Sequence, residues 1–169
     1  LHNAEDQLRG EAASLRFFSH GQFQNGMVVR VAGLAYQRGF GGHFHNDNSL
    51  AVLRDIPGLV LAVPSHPADA PGLLRSCFAL AQQDGRVCVY VEPIALYHSR
   101  DLLTDGDGSW TAGYVPPDAA DAVIELGAVG LHGDGTDLLL ATFGNGVHLS
   151  RRAAAVLAER GVGVTVLDL

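Results

Sequence analysis

Charge is scarce in this chain. Asp, Glu, Lys and Arg make up 17% of its 169 residues, against 47% apolar ones. So little charge on a short globular chain implies surface meant to be covered by more protein. Basic residues are the scarcer kind: 11 Lys and Arg face 18 Asp and Glu, a net charge of −7. With no basic cluster to neutralise phosphates, a nucleic-acid partner is excluded. No apolar run approaches the ~18 residues that span a membrane, and no signal-peptide pattern opens the chain. Cysteine is nearly absent. Cys77 and Cys88 both lie on apolar patterns, so they read as buried thiols of a reducing compartment, and a cytoplasmic location is expected. No internal repeat or low-complexity tract is visible. The chain opens on Leu1 and closes on a strand-like Val-Thr-Val-Leu-Asp-Leu run, so a fragment of a larger protein is expected.

What is present is a strand–helix rhythm. Asn3 is placed to cap a helix with Leu8, Ala12 and Leu15 on one face, ending near His20-Gly21. Residues 27–32 are apolar and β-branched and read as a strand. The glycine-rich stretch 36–45 reads as a loop. Asp47 or Asn48 can cap a short helix with Leu50 and Leu53 inward, which Pro57-Gly58 breaks. Residues 59–63 form a continuous apolar strand of the parallel-sheet kind. Ser65 is placed to cap the next helix, with Pro67 in its first turn. Leu73, Leu74, Cys77, Phe78 and Ala81 recur there at helical spacing, and Asp84-Gly85 ends it. Residues 87–91 are the next strand. The alternation predicts an α/β fold with a mainly parallel sheet flanked by helices. From 97 to 117 the pattern fails, and Asp, Gly, Ser and Pro dominate around the single Trp110. Then come short strands at 126–130 and 137–143. A helix follows Gly144-Asn145-Gly146 with Leu149, Ala153, Val156 and Leu157 inward, and a last strand covers 162–167.

The residues with most chemical promise follow the first strand. The run from Gly39 to Ser49 reads Gly-Phe-Gly-Gly-His-Phe-His-Asn-Asp-Asn-Ser and sets His43 and His45 on a loop at a sheet edge. Its glycines are not a dinucleotide fingerprint, because they do not follow a strand and open a full helix. His43 and His45, two apart and followed by Asp47, invite a metal reading, although no third ligand cluster accompanies them and His66 and His98 are unplaced.

Taken in order, this histidine loop, Ile56-Pro57-Gly58-Leu59, Pro64-Ser65 and Glu92-Pro93 ahead of Leu96-Tyr97 resemble the beta subunit of the thiamine-diphosphate-dependent decarboxylase component of 2-oxo acid dehydrogenase complexes, within the transketolase superfamily. The likeness runs from about Asp6 to Leu169. It implies that residues 1–96 are the second half of a pyrimidine-binding domain, 97–125 a linker, and 126–169 the start of a transketolase-type C-terminal domain. It implies that His45 contacts the carboxylate of a 2-oxo acid and assists acyl transfer to a lipoyl arm, with His43 shaping the pocket. Imidazole suits both tasks. The glutamate of the Glu92-Pro93 motif is structural in such proteins.

The resemblance further implies thiamine diphosphate and magnesium in the complete enzyme. It suggests a structural potassium ion near the helix end flanked by Cys77 and Asp84, where extra residues around 79–83 alter the pattern. Expected partners are an alpha subunit or N-terminal half, a lipoyl-bearing acyltransferase and further copies of the chain. The glutamate that activates the thiamine ring lies upstream of Leu1 in relatives. Gly106-Asp107-Gly108 lacks the helix and metal ligands of the diphosphate motif, so the isolated chain is expected to be inactive. The reading favours a branched-chain 2-oxo acid or pyruvate dehydrogenase. Its rivals are a deoxyxylulose-phosphate-synthase-like transferase and a non-catalytic dimerisation module of the same fold.

Overall fold

The computed structural model describes residues 2–35, 48, 50–119 and 123–169. Two three-stranded sheets carry the fold. In the first, β1 (Met27–Gly33), β2 (Leu59–Ala62) and β3 (Val87–Pro93) are all parallel, in the order β1-β3-β2. Met27 and Leu59 both register on Val87, so the three strands start level; β2 stops at Ala62 opposite Tyr90, while β1 and β3 run on together to Gly33 and Pro93. Before β1 the chain forms a π-helical turn (Gln7–Ala12) and the short helix α1 (Leu15–Phe18). The helices α2 (Leu50–Arg54) and α3 (Ala70–Asp84) precede β2 and β3.

The strand β3 is apolar on both faces because both faces are covered. Val87, Val89 and Val91 pack with Leu8, Ala12, Leu34, Leu53 and Ile56. The alternate residues Cys88 and Tyr90 pack against Val60, Ala62 and Cys77, with Leu73, Leu74 and Leu80 of α3 beside them. Each buried Val removes enough apolar surface to contribute about 1.5–3 kcal/mol.

The second sheet holds β4 (Gly130–His132), β5 (Leu138–Thr142) and β6 (Val164–Asp168) in the order β4-β6-β5. The strands β5 and β6 are parallel, joined through α4 (Asn145–Ala158), while β4 runs antiparallel to β6. The core of this unit is Val147, Val164 and Val166 together with Leu102 and Trp110 from the irregular segment. Among the described residues, no helix is long and apolar enough to cross a membrane.

Local expectations differ from the structure where a polar side chain finds a better partner. The first helix is broken into a π turn and α1, and the Ser14 hydroxyl donates to the Arg9 carbonyl between them. Leu8 and Ala12 are nonetheless buried, and His20 and Gly21 end the segment with positive φ. Asn48 does not cap α2; its side chain accepts the Leu34 N–H at 3.1 Å. Ser65 does not cap α3 either. A turn closed by the His66 carbonyl intervenes, and α3 starts at Ala70 with Pro71 in its first turn. Gly85, in the left-handed conformation at φ 62°, ends α3 by donating to the Leu80 carbonyl. Phe78 turns outward and is 56% exposed. On α4 the buried stripe is Val147, Ala154 and Leu157, while Leu149 and Val156 face outward. The strand expected over 126–130 is instead Gly130–His132, the stretch that can pair with β6.

Candidate functional site

The C-terminal ends of the parallel strands are where α/β folds bind ligands, and the two sheets bring theirs together. The turn after β5 presses on the end of the first sheet. A Cβ on Gly144, whose φ is 55°, would stand 3.2–3.4 Å from Val63, Leu34 and Pro93. Beside it, the buried Ser65 after β2 donates at 2.7 Å to Asp168 at the end of β6. His132 Nε2 lies 3.8 Å from the other carboxylate oxygen of Asp168. Burial holds the Asp168 carboxyl above its usual range, and the Ser65 and His132 contacts oppose that shift.

The segment after β3 closes the third side. Trp110 is 1% exposed. Its ring lies edge-to-face between His66, at 4.9 Å, and His148 of α4, at 4.7 Å, with the Arg151 guanidinium 5.5 Å from the ring centre. Hydrogen bonds repeat the arrangement. His66 Nε2 lies 3.3 Å from the Ser109 carbonyl and His148 Nε2 3.1 Å from the Asp101 carbonyl. The Trp110 N–H of the indole is buried with no hydrogen-bond partner among the described residues, a cost of about 1–3 kcal/mol.

Between this segment and the first sheet lies a cavity of about 630 Å³, within the range of small-molecule sites. Pro64, Pro71, Leu74, Pro93, Leu96 and Trp110 give it mostly apolar walls. Its polar end is an engaged network. Arg30 reaches Glu92 Oε1 at 2.6 Å, and the Tyr97 hydroxyl donates to Glu92 Oε2 at 2.8 Å. Burial, then the bond to Glu92, pushes the Tyr97 hydroxyl up to about 12. The Tyr90 hydroxyl donates to the Ala70 carbonyl and is likewise raised, chiefly by burial. Glu92 thus has both oxygens committed to holding the strand end.

The residues singled out from sequence fall unevenly. His43 and His45 lie outside the described residues, as does Asp47; the described residues on either side of them are Ala35, just past β1, and Asn48. Cys77 is buried on the inner face of α3, and its thiol is pushed up by the hydrogen bond with Cys88 and by burial. The Cys88 thiol points to the Cys77 carbonyl at 3.6 Å. At the other end of α3 the Asp84 carbonyl accepts the Arg16 guanidinium at 2.7 Å. The Arg16 guanidinium and the Cys88 thiol are the side-chain partners of these two carbonyls among the described residues.

Asp107 does not fit a metal ligand. Its carboxylate accepts from the Ser109 hydroxyl and from the N–H groups of Ser109, Leu102, Leu103 and Thr104; the Ser109 hydroxyl first, then the Thr104, Ser109 and Leu103 N–H groups, hold it well below the usual carboxylate range. Asp101 similarly takes the N–H groups of Gly106 and Gly108. Among the described residues, no three His, Cys, Asp or Glu side chains cluster as a metal site.

The arrangement has known counterparts. No family model matches the chain. Among solved structures it is similar to a split-gene transketolase described as an inactive β4 tetramer, with a TM-score of 0.54 at 20% identity, covering 84% of this chain and 38% of that one. A transketolase variant from Pichia stipitis gives a TM-score of 0.56 at 14% identity over 98% of this chain and 22% of that one. The fold is therefore transketolase-like α/β.

Sequence comparison narrows the kinship. The pyruvate dehydrogenase E1 component subunit beta of Bacillus subtilis is 30% identical over 174 residues, covering 100% of this chain and 46% of the relative. The 2-oxoisovalerate dehydrogenase subunit beta of the same organism is 30% identical over 98% of this chain and 45% of the relative. Its mitochondrial counterpart in Arabidopsis thaliana, subunit beta 2, is also 30% identical, over 98% of this chain and 41% of the relative. The chain is similar along its full length to 2-oxo acid dehydrogenase E1 beta subunits and spans a little under half of theirs.

Proposed function

We propose that this chain is part of a thiamine-diphosphate-dependent 2-oxo acid dehydrogenase that decarboxylates a branched-chain 2-oxo acid or pyruvate and passes the acyl group to lipoamide. The observation that carries the reading is 30% identity to E1 beta subunits along the full chain. Thiamine diphosphate, when bound, supplies the electron sink for decarboxylation. The cofactor and its magnesium ion are assigned to an alpha subunit or N-terminal half that completes the site. A lipoyl-bearing acyltransferase is the proposed acceptor partner, and further copies of the chain complete the oligomer. A structural potassium ion beside the part of α3 that carries Cys77 and Asp84 belongs to the same reading.

Within that assembly, His45 is assigned to the substrate carboxylate. A cationic or hydrogen-bonding imidazole fixes the 2-oxo acid and can then move a proton during acyl transfer. His43, two residues away, shapes the pocket. The first sheet's part is to hold both ends of their loop: Leu34 is buried and bonded to Asn48, and Glu92 is tied to Arg30. The test is CO₂ release and lipoamide acylation from pyruvate and branched-chain 2-oxo acids. The complete assembly is expected to turn over, and the 169-residue chain alone to give background. Binding of the partner without turnover on any 2-oxo acid would point to a non-catalytic dimerisation module instead.

A further inference from the structure

We propose that the cavity between the first sheet and the Trp110 segment is a binding site for a small uncharged carbonyl compound, an amide, ester or ketone on an apolar body. Its walls come from β1, β3, the turn after β2, the first turns of α3 and the segment from 96 to 112. At about 630 Å³ it has room for an aromatic ring or a branched acyl chain with its carbonyl head. Four of the wall residues are prolines: Pro64, Pro67, Pro71 and Pro93. A proline ring fixes φ and offers no N–H. These walls are therefore stiff, apolar and already shaped before a ligand arrives.

Most polar groups of the wall are committed to the protein itself. The Ser65 hydroxyl donates to Asp168 and the Tyr90 hydroxyl to the Ala70 carbonyl. The Ser99 and Thr111 hydroxyls donate to the Ala95 and Gly108 carbonyls. His66 is engaged through both ring nitrogens, by the Ala68 N–H and at the Ser109 carbonyl. Glu92 takes Arg30 on one oxygen and the Tyr97 hydroxyl on the other. The group left over belongs to Arg30. Its Nε and Nη2 both stand 2.6 Å from Glu92 Oε1, so Nη1 is a donor with no partner among the described residues.

Charge decides what that donor can hold. The Glu92 carboxylate offsets the Arg30 charge at contact distance. A carboxylate ligand would be attracted by Arg30 and repelled by Glu92, and a cation would meet the reverse. Burial raises both tyrosine hydroxyls above their ordinary range, so neither ring adds charge. A neutral carbonyl oxygen needs one N–H and has no charge to be repelled or desolvated. The rest of such a ligand leaves water against Leu74, Leu96 and Trp110.

Benzamide, benzoate and benzamidinium share one shape and differ in charge, so they serve as probes. At about pH 8, above the ordinary histidine range, calorimetric titration of the chain with benzamide is expected to show saturable binding with a Kd of about 1 mM or tighter. Benzoate and benzamidinium should bind at least about fivefold more weakly. Emission from Trp110, the chain's one tryptophan, should change with the same Kd. Glu92→Gln leaves Arg30 without its counter-charge, and benzoate should then bind more tightly than benzamide. Arg30→Gln should do the same for benzamidinium. Ala112→Phe, at an exposed position of the wall, should weaken all the probes together. If a charge variant fails to fold, the order of the probes on the wild-type chain decides alone. No saturable benzamide binding up to about 10 mM, or a charged probe binding as tightly to the wild type, would overturn the proposal. So would binding that leaves Trp110 emission unchanged, a probe order that both charge variants keep, or benzamide binding untouched by Ala112→Phe.

Discussion

The strands β3 and β5 run through three-stranded sheets of the same chain, yet their surroundings differ. In β3 the five residues from Val87 to Val91 are all buried, none more than 4% exposed. In β5 Leu139 is 60% exposed, and across the sheet Leu131 of β4 is 65% exposed. The first sheet has an α-helical layer on one face and the N-terminal turn with α2 on the other. Among the described residues, the second is covered by α4 and the Trp110 segment on one face only. An apolar strand therefore has two meanings in this molecule. In the first sheet it is core, and in the second half of it is surface suited to further protein.

That contrast can be broken by charge. Val89→Asp puts an unpaired carboxylate at a fully buried position and should cost more than about 4 kcal/mol, enough to abolish the folded state. Loss of the thermal transition, or of soluble protein, is the expected readout. Trp110→Ala empties the core that Leu102 and Trp110 share with Val147, Val164 and Val166 and should cost about 3–5 kcal/mol. Denaturant unfolding should show it as a lower midpoint.

A smaller effect concerns pH. Burial raises the folded-state pKa of Asp168. The folded state then binds the proton more tightly than the unfolded one. Its contribution is fully present below the unfolded pKa and is lost as pH rises through the raised folded pKa. Asp168→Asn should flatten that part of a stability-against-pH curve, measured by denaturant titration across the acid range. A wild-type curve that instead rises there because of Asp168 would contradict the burial argument. Smallest of all, Leu139→Asp should change stability by less than about 0.5 kcal/mol. Its visible consequence should be weaker self-association in light scattering, and an effect on stability as large as that of Val89→Asp would erase the contrast between the sheets.

The parts legible from sequence are those where one pattern had one explanation. The apolar runs at 59–63 and 87–91 read as buried strands, and the Asp84-Gly85 stop at the end of α3 needed only glycine's left-handed freedom. On α4 two apolar stripes compete, and the choice of Val147 over Leu149 is made by the sheet it lands on. Ser65 and Asn48 look like helix caps because their side chains suit that task, but Asp168 and the Leu34 N–H lie nearer in space than in sequence. Trp110 could be noticed as the lone tryptophan in a polar stretch. Its seat between His66 and His148 depends on contacts 44 and 38 residues away in sequence, which no local pattern encodes.

The central claim is that this chain serves a 2-oxo acid dehydrogenase through the histidine loop beyond β1. It is tested most directly by lipoyl-dependent turnover of the complete assembly carrying His45→Ala or His43→Ala. The account predicts that His45→Ala cuts turnover about 10²-fold or more, the scale of a lost positioned proton donor, with thiamine binding nearly unchanged. His43→Ala should cost much less. Two equally mild substitutions, both within a few-fold of wild type, would contradict it.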